Sequence, residues 1–187
     1  MSGSSTPLQG RQRVLVLGSG GSGKSTLARG LSDRLGLPVI HLDIHYWSFG
    51  WKPTPEPQWS QRVQRLAAQD AWVMDGNFSG SLALRLPRCD AIVFLDLPRS
   101  VCLRSVLQRW LRYRYKPRPD LPEGCPEKLD LEFLRWVWQF PERSRPKVLA
   151  ALEQAGPAVQ VLRLTRRAQA RALLGALPTP TSPCCTP

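Results

Sequence analysis

Short apolar runs alternate with helical patterns along most of this chain. Five runs read as strands: Arg13–Leu17, Pro38–Leu42, Ala71–Asp75, Ala91–Leu95 and Val159–Leu164. Each is rich in Val, Ile, Leu or an aromatic, the pattern of strands covered on both faces. Between them the apolar spacing changes to three and four. Leu27, Leu31 and Leu35 repeat every fourth residue, and Gly36 supplies a C-terminal stop. Trp59, Val63 and Leu66 continue that spacing after a Pro-rich loop. Val101, Val106, Trp110 and Leu111 line one side of a helix that begins near Pro98. Phe133, Trp136, Val137 and Phe140 form an aromatic stripe. Val148, Leu149 and Leu152 fit a helix closing before Gly156, and Ala168, Leu173 and Leu174 fit a last one. Alternating strand and helix predicts an α/β fold in three α/β/α layers, with a parallel sheet covered on both faces. Residues 1–10 and 178–187, rich in Ser, Thr, Pro and Gly, read as tails and leave 11–177 as one domain.

Composition adds limits. A length of 187 residues suits a single domain, and an apolar fraction of 42% sustains a core. No run of 18 apolar residues and no charged-then-apolar leader occurs, so the expected location is cytoplasmic, with no membrane partner. The five cysteines (Cys89, Cys102, Cys125, Cys184 and Cys185) are odd in number and lack C-x-x-C spacing, so they read as free thiols. His41 and His45 stand four apart in a strand-to-loop region rather than on a helix, which argues against a metal pair.

Charge changes the picture more. Lys and Arg number 26 against 14 Asp and Glu, a net +12, with an isoelectric point near 10.4. Such a balance implies a polyanionic partner: nucleic acid, an acidic membrane surface or phosphorylated small molecules. The distribution is uneven. Residues 99–118 carry Arg99, Arg104, Arg109, Arg112, Arg114, Lys116 and Arg118 with no acid, whereas 119–142 hold six acids against Lys128 and Arg135. Clustered charge suits a site better than a uniform coat. Helix-turn-helix, zinc and RNA-binding signatures are missing.

The segment Gly18-Ser19-Gly20-Gly21-Ser22-Gly23-Lys24-Ser25 matches G-x-x-x-x-G-K-[ST] between an apolar strand and an amphipathic helix. The glycines let successive N–H groups turn toward one phosphate, and the helix N-terminus adds its positive end. The expected nucleotide-binding set is Gly18, Ser19, Gly20, Gly21, Ser22, Gly23, Lys24, Ser25 and Thr26. Lys24 reaches the outer phosphates of ATP, and Ser25 meets Mg²⁺. A GTPase needs an N-K-x-D guanine reader, which is absent; the one D-x-x-G, Asp33 to Gly36, closes the loop's own helix. A helicase-type ATPase wants a strand ending in Asp-Glu, but Asp75 precedes Gly76 and Asp96 precedes Leu97.

The remaining motifs carry a resemblance. They are Val39-Ile40-His41-Leu42-Asp43 with Trp47 and Gly50-Trp51, Trp72-Val73-Met74-Asp75-Gly76-Asn77, Phe94-Leu95-Asp96-Leu97-Pro98-Arg99, Arg112-Tyr113-Arg114, Arg118-Pro119-Asp120 and Glu123-Gly124-Cys125-Pro126-Glu127. Over roughly residues 12–175 the chain resembles the nucleoside-monophosphate-kinase branch of P-loop proteins. More closely, it is similar to the adenylate-kinase-like topology modulation proteins of bacteria. The resemblance implies a sheet ordered 2-3-1-4-5 with the P-loop on the central strand, and a helical lid at about 113–145. One departure matters: adenylate kinases carry D-G-F-P-R where this chain has Asp75-Gly76-Asn77-Phe78-Ser79, and the missing arginine argues against AMP as acceptor.

In that architecture Asp43 and Asp75 end strands at the P-loop rim. Asp75 suits a Mg²⁺-bound water, and Asp43 suits accepting or orienting the acceptor's hydroxyl proton. Asp96 reads as an N-cap for the helix after Pro98. Arg109 and Arg112, three apart on one helix face, are expected to stabilise the transferring phosphoryl, with Arg143 and Arg145 closing from beyond the lid. Trp47, Trp51 and Asn77 complete the acceptor side. The leading expectation is a kinase moving the γ-phosphoryl group of Mg-ATP to a nucleotide or other small acceptor. The alternative is a nucleic-acid-associated ATPase or regulator that affects DNA topology.

Overall fold

The computed structural model describes residues 7–116 and 118–178. Of the tails expected at 1–10 and 178–187, residues 1–6 and 179–187, with Cys184 and Cys185, lie outside the described residues, while Leu8 is buried in the core beside Val14 and Leu31 rather than in a tail. Five strands form one parallel sheet: β1 (Arg13–Gly18), β2 (Val39–His41), β3 (Trp72–Asp75), β4 (Ala91–Leu95) and β5 (Gln160–Leu164). Their spatial order is β2-β3-β1-β4-β5, so the central strand is the one that feeds the P-loop. Register brings one rim together: Val16 and His41 both lie opposite Asp75, and Gly18 lies opposite Leu95.

The strands bury both faces because alternate residues pack into different layers. Leu15, Leu17, Met74, Ile92 and Phe94 pack against Trp59 and Val63 of α3 (Glu56–Ala67), Phe140 of α6 (Leu131–Arg143) and Val148 of α7 (Arg145–Glu153). Val14, Val16, Val73, Val93 and Leu95 pack against Leu27 and Leu31 of α1 (Lys24–Leu35) and Leu173 of α8 (Arg167–Ala176). A third, smaller cluster joins Cys102 and Val106 of α5 (Arg99–Tyr113) to Leu97 and Val137. That cluster ends at Val106. The rest of α5 has no layer to cover, so Leu107 and Leu111 are exposed, against the apolar side expected through Leu111.

Three local elements escape the periodic reading. After β2 the chain turns at once into α2 (Leu42–Tyr46), then into a two-stranded ribbon pairing Trp47–Ser48 with Lys52–Pro53. A short helix, α4 (Leu82–Arg85), follows β3 between two 3₁₀ turns. Within the expected lid, the described residues between α5 and α6 form neither helix nor strand. Among the described residues no helix is long and apolar enough to cross a membrane.

Arg85 explains how the turn after β3 is held. It is fully buried and has no carboxylate partner among the described residues. Its guanidinium donates instead to the carbonyls of Gly76 (2.9 Å), Phe78 (3.2 Å), Asn77 and Ser81. Burial lowers its pKa to about 9. Removing the side chain would strand several buried acceptors at once, each worth about 1–3 kcal/mol. Arg85→Leu is therefore expected to cost at least about 3 kcal/mol, read as a lower urea midpoint at unchanged slope.

Candidate active site

The P-loop leaves β1 at Gly18 and enters α1 at Lys24. Two contacts show why side chains are excluded from its middle. A Cβ at Gly21, where φ is +76°, would lie 2.3 Å from the Cys102 carbonyl. A Cβ at Gly20 would lie 2.7 Å from the Phe133 ring. The loop is thus wedged between α5 and α6, and only bare backbone fits. Ser22 N–H closes a turn on the Ser19 carbonyl at 3.2 Å. The first N–H groups of α1 have no intrahelical acceptor and point off the helix end. Lys24 Nζ donates to the Ser19 carbonyl at 3.1 Å. Thr26 is exposed on α1.

Asn77 does not serve as the acceptor-facing group expected of it. Its side-chain oxygen accepts from Gly18 N–H at 2.9 Å, and its amide donates to the Gly18 carbonyl at 2.5 Å. One N–H and one oxygen lone pair of the amide fix the start of the P-loop. The arginine cage below holds Asn77 in turn.

Asp75 ends β3 as expected, whereas Asp43, expected to end the second strand, lies in the first turn of α2, because β2 stops at His41. Asp75 is buried, and its Oδ2 lies 3.0 Å from Nδ1 of buried His41. Its Oδ1 is buried with no partner. Asp43, at the start of α2, is partly buried. Burial first, then the neighbouring Asp75 carboxylate, push the Asp43 carboxyl above its ordinary 3.8, against the pull of Lys24 and Arg118. Asp120 adds to the upward push.

The arginines are arranged differently from expectation. Arg109 is at the site, bonded to Glu127 at 2.9 Å. Arg112 is exposed and lies over the Tyr113 ring at 5.5 Å. Its anticipated place is taken by Arg118, which grips Asp120 through two bonds (3.2 and 2.5 Å) and Glu127 through a third (2.6 Å). Burial works against the charge on Arg118, and these bonds outweigh it, so its pKa is raised. Burial likewise opposes the charged form of Asp120, but Arg118 and the adjacent Ser25 hydroxyl hold that carboxyl below its ordinary value. Arg118, Asp120 and Glu127 are site residues the sequence reading quoted without assigning them a role; the signal was an R-x-D step directly after an acid-free basic run.

Asp96 is not an N-cap. Pro98 holds that position without a side-chain bond, while Asp96 accepts from Arg145 (2.8 and 3.0 Å) and Arg163 (2.8 Å). Arg145 is therefore engaged away from the phosphates. Arg143 is exposed on α6, in a surface hollow with Glu132, Arg135, Trp136 and Gln139. Trp47 and Trp51 pack edge to face at 5.4 Å, and Trp51 Nε1 donates to the Pro126 carbonyl at 3.2 Å. Among the described cysteines, Cys89, Cys102 and Cys125 are free and buried.

The residues present fit a magnesium triphosphate. The loop offers bare backbone where phosphate must approach. Asp75 Oδ1 and Ser22 Oγ are buried polar atoms without partners. The three carboxylates of Asp43, Asp75 and Asp120 face only Lys24 and Arg118 as nearby cations in the balance felt by Asp43. The described residues hold no cluster of three or more His, Cys, Asp or Glu able to chelate a metal unaided. That suits Mg²⁺, which takes one or two carboxylates together with phosphate oxygens and waters.

The comparisons agree with this architecture. No family model matches the chain. It is similar to YqaC, an uncharacterised protein of Bacillus subtilis, at 27% identity over 131 residues, 68% of this chain and 71% of that protein. Its fold is similar to shikimate kinase from Acinetobacter baumannii in complex with shikimate, with a TM-score of 0.55 at 18% identity over 90% of this chain and 91% of that one. Shikimate kinase from Bacteroides thetaiotaomicron gives 0.53 at 19% over 88% and 95%. A gluconokinase from Sinorhizobium meliloti gives 0.52 at 19% over 90% and 92%. The chain has the P-loop kinase fold.

The raised Asp43 carboxyl has a measurable consequence. The folded chain keeps this proton to a higher pH than the unfolded chain, so stability falls as pH rises from 3.8 through the folded value, and the cost is complete above it. Asp43→Asn is expected to raise the melting temperature at neutral pH by about 2–4 °C. That gain should vanish below about pH 3, where both states are protonated.

Proposed function

We propose that the protein is a P-loop kinase that moves the γ-phosphoryl group of ATP onto a hydroxyl of a small acceptor. The observation that carries this reading is Asp43: a carboxyl raised by burial and by Asp75, at the same rim as Lys24 and the P-loop. A carboxylate raised in this way holds a transferred proton more tightly than a free aspartate does. The P-loop backbone and Lys24 bind the triphosphate. Asp43 takes the proton from the acceptor hydroxyl as its oxygen forms the new bond to phosphorus; the bond from phosphorus to the β-phosphate oxygen breaks, and ADP leaves. Arg109 and Arg118 offset charge on the transferring group. Magnesium, when bound, supplies positive charge to the phosphate oxygens; Ser25 and Asp75 are the residues that would hold it.

On the acceptor side, Trp47 and Trp51 pack edge to face on the ribbon that directly follows α2, the helix that carries Asp43. The structural neighbours bear the names of shikimate kinase and gluconokinase, and this chain lacks the arginine of the adenylate-kinase acceptor motif. Both points favour a polyhydroxylated or carboxylated small molecule over AMP. The motif agreement also supports kinship with the bacterial topology modulation proteins.

An acceptor screen with Mg-ATP should find at least one compound that is phosphorylated faster than ATP is hydrolysed. Lys24→Ala is expected to lower that rate by about 100-fold or more. The wild-type rate should fall on the acid side through a pKa above 3.8, and Asp43→Asn should abolish that limb. Hydrolysis outpacing transfer for every acceptor, and surviving in Lys24→Ala, rejects the kinase reading.

A second reading has its own observation. Arg104, Arg112, Arg114 and Lys116 are exposed, and none has a carboxylate partner among the described residues. A nucleic-acid-associated ATPase would use this surface. Oligonucleotide affinity should then fall steeply with salt, by about one log–log slope unit per phosphate contacted, and change when ATP is added. Affinity equal to that of an unrelated basic protein rejects it.

A further inference from the structure

His41 carries an imidazole to which the kinase reading gives no task. It ends β2 and lies directly opposite Asp75, the last residue of β3, in the parallel pairing of the two strands. Its Nδ1 stands 3.0 Å from Asp75 Oδ2, and the two residues are 7% and 4% exposed. A carboxylate only accepts, so the hydrogen belongs to Nδ1, and the bond is charge-assisted. The other carboxylate oxygen, Oδ1, is buried and has no partner. Donors close by along the chain are committed to backbone. Gly76 N–H donates to the Val16 carbonyl at 3.3 Å, the Asn77 amide to the Gly18 carbonyl, and the Arg85 guanidinium to the carbonyls of the turn. A buried carboxylate oxygen left bare is costly, so it marks a place where a ligand from outside the chain belongs. Packing alone gives no reason for it.

We propose that His41 is a positioning residue for Asp75: its Nδ1–H engages Oδ2 and leaves Oδ1 as the one oxygen presented to the magnesium ion or its waters. This rests on the kinase reading and deepens it, because that reading gives Asp75 to the ion without saying what orients the carboxylate. The last torsion of an aspartate is broad, and its two oxygens are equivalent until one is engaged. Strand register sets His41 and Asp75 side by side. The hydrogen bond then decides which oxygen stays free. Carboxylates that hold a metal are commonly hydrogen-bonded in this way, and loss of such an outer partner costs about 10–100-fold in metal affinity. His41 acts through Asp75 rather than on the reacting atoms.

The test uses the full chain with a non-hydrolysable ATP analogue and Mn²⁺ in place of Mg²⁺, with bound Mn²⁺ counted by electron paramagnetic resonance. His41→Leu removes the donor. His41→Asn keeps one, because its amide nitrogen is as many bonds from the backbone as Nδ1. His41→Leu is expected to weaken Mn²⁺ binding to the nucleotide complex by about tenfold or more, and His41→Asn by no more than about threefold. Nucleotide affinity in EDTA, read by tryptophan fluorescence, should stay within about twofold in both. A role in stability alone predicts a different pattern: a lower urea midpoint for His41→Leu, with the Mn²⁺ affinity of the folded protein unchanged. A measurement on the unsubstituted chain stands beside these in case His41→Leu does not fold. With ¹⁵N-labelled histidine only two imidazoles report, those of His41 and His45. Mg²⁺ added to the nucleotide complex should shift the His41 Nδ1–H resonance, since the carboxylate that accepts this hydrogen then shares its charge with the ion. A loss below about tenfold in folded His41→Leu, an equal loss in the two variants, or a His41 resonance that Mg²⁺ leaves unmoved overturns the proposal and leaves the kinase reading standing. Absence of nucleotide or Mn²⁺ binding in the wild type overturns both.

Discussion

Both backbone groups of Gly18 are held by a single amide, that of Asn77, at the residue where the central strand becomes the phosphate loop. The rest of the site depends on this pair of bonds. Asn77 sits in a turn with unusual backbone: Gly76 has φ of +138° and Phe78 has φ of +34°. Such a turn needs support, and Arg85 supplies it by donating to four of its carbonyls. A buried guanidinium without an acid is costly, and so are buried carbonyls without donors. Placed together, each set satisfies the other. The outcome is a rigid floor that sets Asp75 on one side of Asn77 and the P-loop on the other, as a preorganised site requires.

The fold was largely legible because its signals are local and periodic. Consecutive apolar residues marked the strands of the parallel sheet, and each of those five falls within a residue or so of its expected span. The P-loop was legible because its chemistry demands fixed residue types at fixed spacing. Asn77, Asp96 and Arg85 were not, for one physical reason: their partners are backbone or side chains that no period connects. Asn77 looks like a polar residue facing a ligand, but its partner is 59 positions away. Asp96 precedes a helix as an N-cap would, but its arginines lie 49 and 67 positions away. Arg85 lies in no motif or apolar period, and only the tertiary fold closes water out around it.

The ribbon that follows α2 and the irregular segment before α6 are joined. Gly50 N–H donates to the Gly124 carbonyl at 3.1 Å, Cys125 Sγ donates to the Ser48 carbonyl at 3.3 Å, and Trp51 reaches the Pro126 carbonyl. Phe49 lies over Gly124 so closely that a Cβ there would be 2.1 Å from its ring. The ribbon that carries Trp47 and Trp51 is thereby fastened to the stretch that carries Arg118, Asp120 and Glu127. Displacement of one must move the other. Movement of the ribbon is thereby coupled to the ion pairs of Arg118, Asp120 and Glu127.

Net charge turns out to be a poor guide to the field inside this site. The basic run 99–118 divides into two populations. Arg99, Arg109 and Arg118 are paired with Glu142, Glu127 and Asp120, while Arg104, Arg112, Arg114 and Lys116 face outward without acids among the described residues. Exposed cations are screened over about 8–10 Å of physiological salt water, so the outward set contributes little to groups beneath the P-loop. Buried neighbours are not screened in this way. Asp43, in a chain of net +12, consequently holds its proton more tightly than a free aspartate. Burial, Asp75 and Asp120 outweigh the nearby Lys24 and Arg118, so this carboxyl is tuned by its nearest contacts and not by the net charge of the chain.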